Sequence, residues 1–246
     1  MDENYVKEVS ALIERYKAAE GSFIKLANYA GSQFENVLSK IPDEFEEHLQ
    51  NAVMALLSAA YEASGTISNA SISQSVPSYF HKITVIFSGA IGGATGLPGA
   101  LAELPMTITT MFSSFQKIAT QYGFDPDDAE TKMECINIFS MGGPLDVDDY
   151  NELSFITARL GLQGEIISRL IAKTAEKFFV KLSQKLISQT VPVLGAVTGA
   201  TLNYTFISYY EEMAHVRFGL KKLQLKHPDI NLIQDFVRRC NKPSVA

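Results

Sequence analysis

Glu212 and His215 stand three residues apart, with Glu211 beside them. On a helix, positions i and i+3 share a face, and a carboxylate paired with an imidazole in this way is the ligand geometry of carboxylate-bridged di-iron bundles. Such a site needs a second Glu-x-x-His and two further glutamates. His48, His81 and His227 have no Glu three positions before them, so half of the ligand set is missing. The plainer reading is a helix with a surface glutamate and a hydrogen-bonded histidine. Glu211, Glu212 and His215 are the candidate metal ligands, and His215 a candidate catalytic group. No cofactor is called for by the pattern.

Glu103 closes an uncharged run, between Ala102 and Leu104-Pro105. A half-buried carboxylate at such a place titrates high and can serve as an acid or a ligand, which makes Glu103 the second catalytic candidate. Its placement fits better with capping a helix that starts at Pro105. The chain has no Walker A loop, no G-x-S-x-G elbow and no H-E-x-x-H. The run Gly-Gly-Ala-Thr-Gly-Leu-Pro-Gly lacks the lysine of a phosphate loop.

A third pattern is electrostatic. Arg169, Lys173, Lys177, Lys181 and Lys185 recur at every fourth residue, with Glu165 and Glu176 as nearby acids. On a helix of 3.6 residues per turn each step drifts about 40°, so the cations form a slanting stripe. The other side carries Ile171, Ala175, Phe178, Leu182 and Leu186. The stripe is either a solvated helix face or a surface for anionic lipid headgroups, to which each cation adds about 1 kcal/mol. The C-terminal part, with Arg217, Lys221, Lys222, Lys226, Arg238, Arg239 and Lys242, is basic, whereas the first fifty residues lean acidic. That asymmetry favours membrane-surface contact.

The elements that must position these residues read as helices. Val6, Val9, Leu12, Ile13, Tyr16, Ala19, Phe23 and Leu26 give helical periodicity from Tyr5 to Ala27, with Gly21 as a candidate break. A new helix is expected from Ile41-Pro42-Asp43-Glu44 through Ala60. Ser64 to Ser78 reads as a loop. Helices are expected over Met106–Tyr122, stopping at Gly123, and after the Asp125-Pro126-Asp127-Asp128 turn, ending by Gly142-Gly143-Pro144. Others are expected from Glu165 to about Gln189, then to about Leu225, with a short segment from Ile230 to Arg239.

Two glycine-rich runs, Gly89-Ala90-Ile91-Gly92-Gly93-Ala94-Thr95 and Gly195-Ala196-Val197-Thr198-Gly199-Ala200-Thr201, match at five of seven positions. Each lies in a long uncharged stretch. Gly92 with Gly96, and Gly195 with Gly199, are spaced G-x-x-x-G, which lets two helix backbones approach closely. The expectation is an all-α, multi-helix bundle with two glycine-rich pseudo-repeated helical hairpins at its centre. Both stretches are long enough to span a bilayer. Their many Ser, Thr, Gly and Pro residues favour a tight crossing in a core.

Composition bounds the function. Hydrophobic residues make up 46% of the 246-residue chain, enough for a sizeable core. A net charge of −6 argues against nucleic-acid binding, which needs a basic face. Two distant cysteines, Cys135 and Cys240, exclude a Cys-rich zinc site and point to a reducing, cytosolic setting. The polar, acidic start lacks a signal-peptide pattern.

Gly92-Gly93-Ala94-Thr95-Gly96-Leu97-Pro98-Gly99, Glu103-Leu104-Pro105 and Tyr122-Gly123-Phe124-Asp125 resemble the middle of the bacterial EcsC family. Pro192-Val193-Leu194-Gly195-Ala196 with Asn203, and the helix through Ala214, Phe218 and Leu223, resemble its C-terminal part. Lys40-Ile41-Pro42 resembles its N-terminal part. The resemblance covers about residues 35 to 225 and departs where Glu103 replaces a more common Asp. It implies an α-helical bacterial protein from a family named after an operon that also encodes an ABC transporter, with no catalytic residues to carry over. The expected organisation is one domain over 1–246, with an N-terminal helix (1–34), the family core (35–225) and a short basic tail (226–246). The expected function is a membrane-associated accessory protein, peripheral on the cytoplasmic leaflet, that meets an anionic membrane surface or a membrane protein. A metal-dependent enzyme and a soluble lipid or apolar-ligand carrier are the alternatives. No pattern sets the oligomeric state.

Overall fold

The computed structural model describes residues 3–38, 43–62, 97–141, 164–189 and 196–241. Side chains are described for 3–22, 50–62, 104–141, 165–180, 182 and 204–241. The described secondary structure is all helical: α1 (Glu3–Leu38), α2 (Asp43–Glu62), α3 (Leu97–Tyr122), α4 (Ala129–Ile138), α5 (Gly164–Gln189), α6 (Ala196–Lys226) and α7 (Leu232–Cys240). Gly92, Gly96 and Gly195 lie outside the described residues, whereas Gly199 falls in the first turn of α6 with its surroundings undescribed, so the two expected hairpins are not described as such.

α6 is the axis. It packs against α1, α3, α4, α5 and α7. Its buried residues, among them Phe206, Tyr210, Met213, Ala214, Val216, Phe218, Leu220 and Leu223, fall on several faces, as expected of a helix surrounded by others. α1 runs antiparallel along it: Arg15 meets Glu212, Leu12 meets Gly219 and Glu8 meets Lys226. α3 runs parallel to it, with Ser114 at Glu211, Tyr122 at His215 and Phe124 at Phe218. α2 lies behind, packed on α5.

The helical periodicity of α1 and α2 places Val9, Leu12, Tyr16, Ala19, Ala52, Val53, Leu56, Leu57 and Ala60 in the core. Gly21 does not break α1, which continues unbroken to Leu38. No heavy atom lies within 4 Å of where its Cβ would be, so it marks no close contact. A lone helical glycine costs about 1 kcal/mol, which the packing on either side outweighs.

α3 also starts earlier than Pro105 suggests. It opens at Leu97 and carries Pro98 in its first turn, where a missing N–H costs nothing. Pro105 then sits inside the helix and forgoes one backbone bond. Leu104 and Ile108, both about 1% exposed, flank it and hold the helix together by burial. Glu103 is therefore the seventh residue of α3, beyond the first turn in which the helix dipole acts. The expected cap at Pro105 does not exist, and the Glu103 side chain lies outside the described residues.

α3 ends where Gly123 was expected to stop it. Gly123 has φ 91°, and its N–H bonds the Thr120 carbonyl at 3.0 Å while the Phe124 N–H reaches back to Ala119 at 3.0 Å. This is a Schellman motif, which satisfies carbonyls that a helix end leaves free. The Asp127 N–H then bonds Asp125 Oδ1 at 2.9 Å, turning the chain into α4. α7 is capped by Asn231, whose side chain accepts the Gln234 N–H at 3.3 Å.

α7 is latched to α1. The buried Tyr5 hydroxyl donates to Asp235 Oδ2 at 2.9 Å, and Arg239 Nε donates to the same oxygen at 2.7 Å. Arg238 bridges the other carboxylate oxygen. Burial pushes the Tyr5 phenol up to about 12, with its hydrogen bond to Asp235 adding to the effect. A raised phenol contributes stability below its unfolded value of about 10 and loses it as pH climbs through the folded value. Thermal stability should fall between pH 10 and 12, and Tyr5→Phe should flatten that fall in a pH series of melting curves. Gly219 sits where an added Cβ would lie 2.6 Å from Leu12 Cδ2. Gly219→Leu should cost about 1–3 kcal/mol in urea unfolding through overpacking.

Candidate functional site

All five cations of the stripe fall on α5, a single helix. Leu170, Ile171, Thr174, Ala175, Phe178, Phe179 and Leu182 are buried, so its other side faces the core as the spacing requires. Arg169 is exposed and pairs with Glu165 one turn back at 2.6 Å, a contact open to water on both sides. Exposed pairs of this kind are worth little and exchange readily for other anions. Lys173 and Lys177 are half-buried, and neither is without a partner. The Lys181 and Lys185 side chains lie outside the described residues.

Glu211, Glu212 and His215 fall on one stretch of α6 and are tied to two different helices. Glu211 Oε1 accepts from the Ser114 hydroxyl of α3 at 2.5 Å. Glu212 pairs with Arg15 of α1 at 2.7 Å. His215 Nδ1 lies 3.3 Å from the Tyr122 hydroxyl, the two rings meeting edge-on. Burial lowers the His215 pKa, helped by Arg15 and opposed by Glu212 and Glu211. Burial raises Tyr122. The histidine is therefore neutral near pH 7 and hydrogen-bonded, with carboxylates committed to a hydroxyl and a guanidinium. Among the described residues, no group of three or more His, Cys, Asp or Glu is placed to hold a metal ion.

The basic C-terminal part is largely consumed inside the molecule. Lys226 pairs with Glu8 at 3.1 Å, and Arg238 and Arg239 with Asp235. Lys221 Nζ lies 2.8 Å from Glu130 and 3.7 Å from Glu134, and above the Phe124 ring. Lys222 is exposed, near the Tyr122 ring. The charge asymmetry read as a membrane signal is in part complementarity between α1 or α4 and α6. Lys242 lies outside the described residues.

The deepest charges were missed by sequence reasoning. Arg217 Nε donates to Glu134 Oε2 at 2.6 Å, with side chains 8% and 6% exposed. Burial alone would raise Glu134, but the charges of Arg217 and Lys221 and their hydrogen bonds outweigh it and hold the carboxyl below its usual value. Its neighbour Cys135 is wholly buried, and burial pushes that thiol well up, which makes it unreactive. A readable signal was present: Glu134 interrupts Met133-Cys135-Ile136, and Arg217 sits between Val216 and Phe218.

Among the described residues these features give an all-α protein whose central helix is fastened to its neighbours by ion pairs. The EcsC protein family model matches residues 7–223, and the chain belongs to that family. The match takes in most of α1, earlier than the resemblance from residue 35 suggested, in keeping with the packing of α1 along α6. No curated protein and no solved structure matches the chain.

Arg217→Met should destabilise the protein by about 3–5 kcal/mol, because it strands a buried carboxylate. Adding Glu134→Leu to that variant should restore most of the loss in denaturant titrations.

Proposed function

We propose that the protein is a membrane-associated accessory protein, peripheral on the cytoplasmic leaflet, which docks on anionic lipid through the α5 edge and supports an ABC transporter or another envelope process. The observation that carries this reading is the arrangement of α5: five cations at four-residue spacing on one helix whose other side is buried in the core. A helix anchored in this way can present charge to a surface without inserting. Among the described residues, no helix is long and apolar enough to cross a membrane. The transporter link rests on the family's operon context alone. The internal use of the C-terminal cations narrows the docking surface to α5, with Lys222 beyond it. Arg169 remains available because its exposed partner Glu165 gives it up at little cost.

Flotation of purified protein with liposomes tests the reading. Anionic vesicles should carry the protein at low salt and release it at high salt, and neutral vesicles should not carry it. Replacing Arg169, Lys181 and Lys185 together with Gln should weaken anionic binding by about fivefold per charge removed, from about 1 kcal/mol each. Equal binding to neutral vesicles, or binding unchanged in the triple variant, would refute docking through α5.

A further inference from the structure

His215 is the point at which α1, α3 and α6 share one titratable group. It is half-buried, and its Nδ1 lies 3.3 Å from the Tyr122 hydroxyl of α3. Glu211 and Glu212 stand four and three residues before it, so both carboxylates share its face of α6. Both are directed to other helices. Glu211 accepts from the Ser114 hydroxyl of α3 at 2.5 Å, and Glu212 pairs with Arg15 of α1 at 2.7 Å. Among the described residues, the charges that bear on the ring are Arg15, which repels a proton there, and Glu212 and Glu211, which attract one. Lys222 of α6 places a further cation 6.0 Å from the centroid of the Tyr122 ring.

The two protonation states of His215 ask for different partners. A phenol is a better donor than acceptor, which assigns Nδ1 of the neutral ring as the acceptor from Tyr122. Burial holds the Tyr122 proton more tightly, so the phenol keeps it. An imidazolium carries a proton on both nitrogens and accepts nothing, so on protonation the phenol must turn from donor to acceptor. The new cation also lies one turn from two carboxylates, and a glutamate four residues before a cation is the favoured order of a helical pair. His215 then competes for oxygen atoms that Ser114 and Arg15 hold. Arg15 and Glu212 meet where water reaches both, with side chains 44% and 38% exposed, so their pair yields to a competing cation at little cost.

We propose that this cluster is a proton-operated fastening, in which protonation of His215 turns the α6 carboxylates from Ser114 and Arg15 toward the imidazolium on their own helix and loosens α3 and α1 from α6. Around neutral pH the fastening is closed. Burial, helped by Arg15, holds the His215 pKa below its ordinary value against Glu212 and Glu211. The unfolded chain therefore takes up the proton first as pH falls below about 6.5, and the folded state loses stability until its own histidine is charged. The ion pair of Glu134 and Arg217 stays closed over the same range, because its carboxyl is held below its usual value. The device thus acts on the α1 and α3 contacts of α6 and leaves that of α4 in place. It does not depend on lipid docking through α5.

Hydrogen exchange of the full chain at about pH 7.5 and about pH 5.5, corrected for intrinsic rates, reads the fastening on either side of the ordinary histidine value. Acid should lower protection by about fivefold, the scale of one lost hydrogen bond, in α1 around Arg15 and in α3 from Ser114 to Tyr122, and leave α4 unchanged. His215→Phe keeps a ring against Tyr122, takes no proton, and should abolish the difference. Arg15→Gln, at an exposed position, gives a second reading: without the guanidinium the His215 pKa should rise in an NMR titration, and the loss of protection in α3 should move to higher pH. Equal protection of α1 and α3 at both pH values overturns the fastening, as does a His215 that titrates at or above about 6.5 in the wild type or fails to shift in Arg15→Gln. An acid effect that persists in His215→Phe belongs to another group, such as His227 against Tyr5, and overturns it too.

Discussion

The ion pair between Glu134 and Arg217 is the constraint around which the rest is arranged. Two charges with side chains under one-tenth exposed are costly unless each finds the other. Arg217 reaches Glu134 with α4 lying antiparallel on α6. That register brings Phe139 to Tyr210 and the Met141 carbonyl to Tyr209. An apolar seam would tolerate a slip of one turn; this one does not. Lys221, a turn further along α6, repeats the demand through Glu130.

A central helix buried on several faces needs partners chosen by more than apolar area. Around α6 three of its neighbours have a polar fastening of their own: Arg15 and Glu8 from α1, Ser114 and Tyr122 from α3, and Glu134 from α4. These contacts contribute little net energy where they are exposed, yet they set direction and register. The acidic bias of the N-terminal segment meets the basic bias of the C-terminal one at Glu8 and Lys226, while Arg217 and Lys221 take their acids from α4.

The helical class was legible because periodicity is local. Val9, Leu12, Tyr16 and Ala19 repeat at the helical interval and are buried at that interval. Gly123 was legible as a stop because only a residue at ease with positive φ closes a Schellman turn. Gly21 and Pro105 misled for the converse reason: their intrinsic penalties are real, and tertiary burial of their neighbours outweighs them. The Glu-x-x-His pair was rightly placed on one helix, but its partners, Arg15 and Ser114, are far away in sequence. Pairing across 197 residues, as between Arg15 and Glu212, leaves no trace in spacing. Among the described residues a glycine at a close approach is Gly219, opposite Leu12, which sits in no motif.

The antiparallel packing of α1 on α6 has a consequence for the order of events during synthesis. Tyr5, Val9, Leu12 and Tyr16 owe much of their burial to α6 and α7, which begin at Ala196 and Leu232. At about 5–20 residues per second, a ribosome takes roughly 10–40 seconds to deliver that partner. Through that interval the first helix must carry an uncovered apolar face. The nascent chain is thus obliged to remain in the care of a holding factor, or to park that face on the intervening helices, until α6 arrives to displace the substitute.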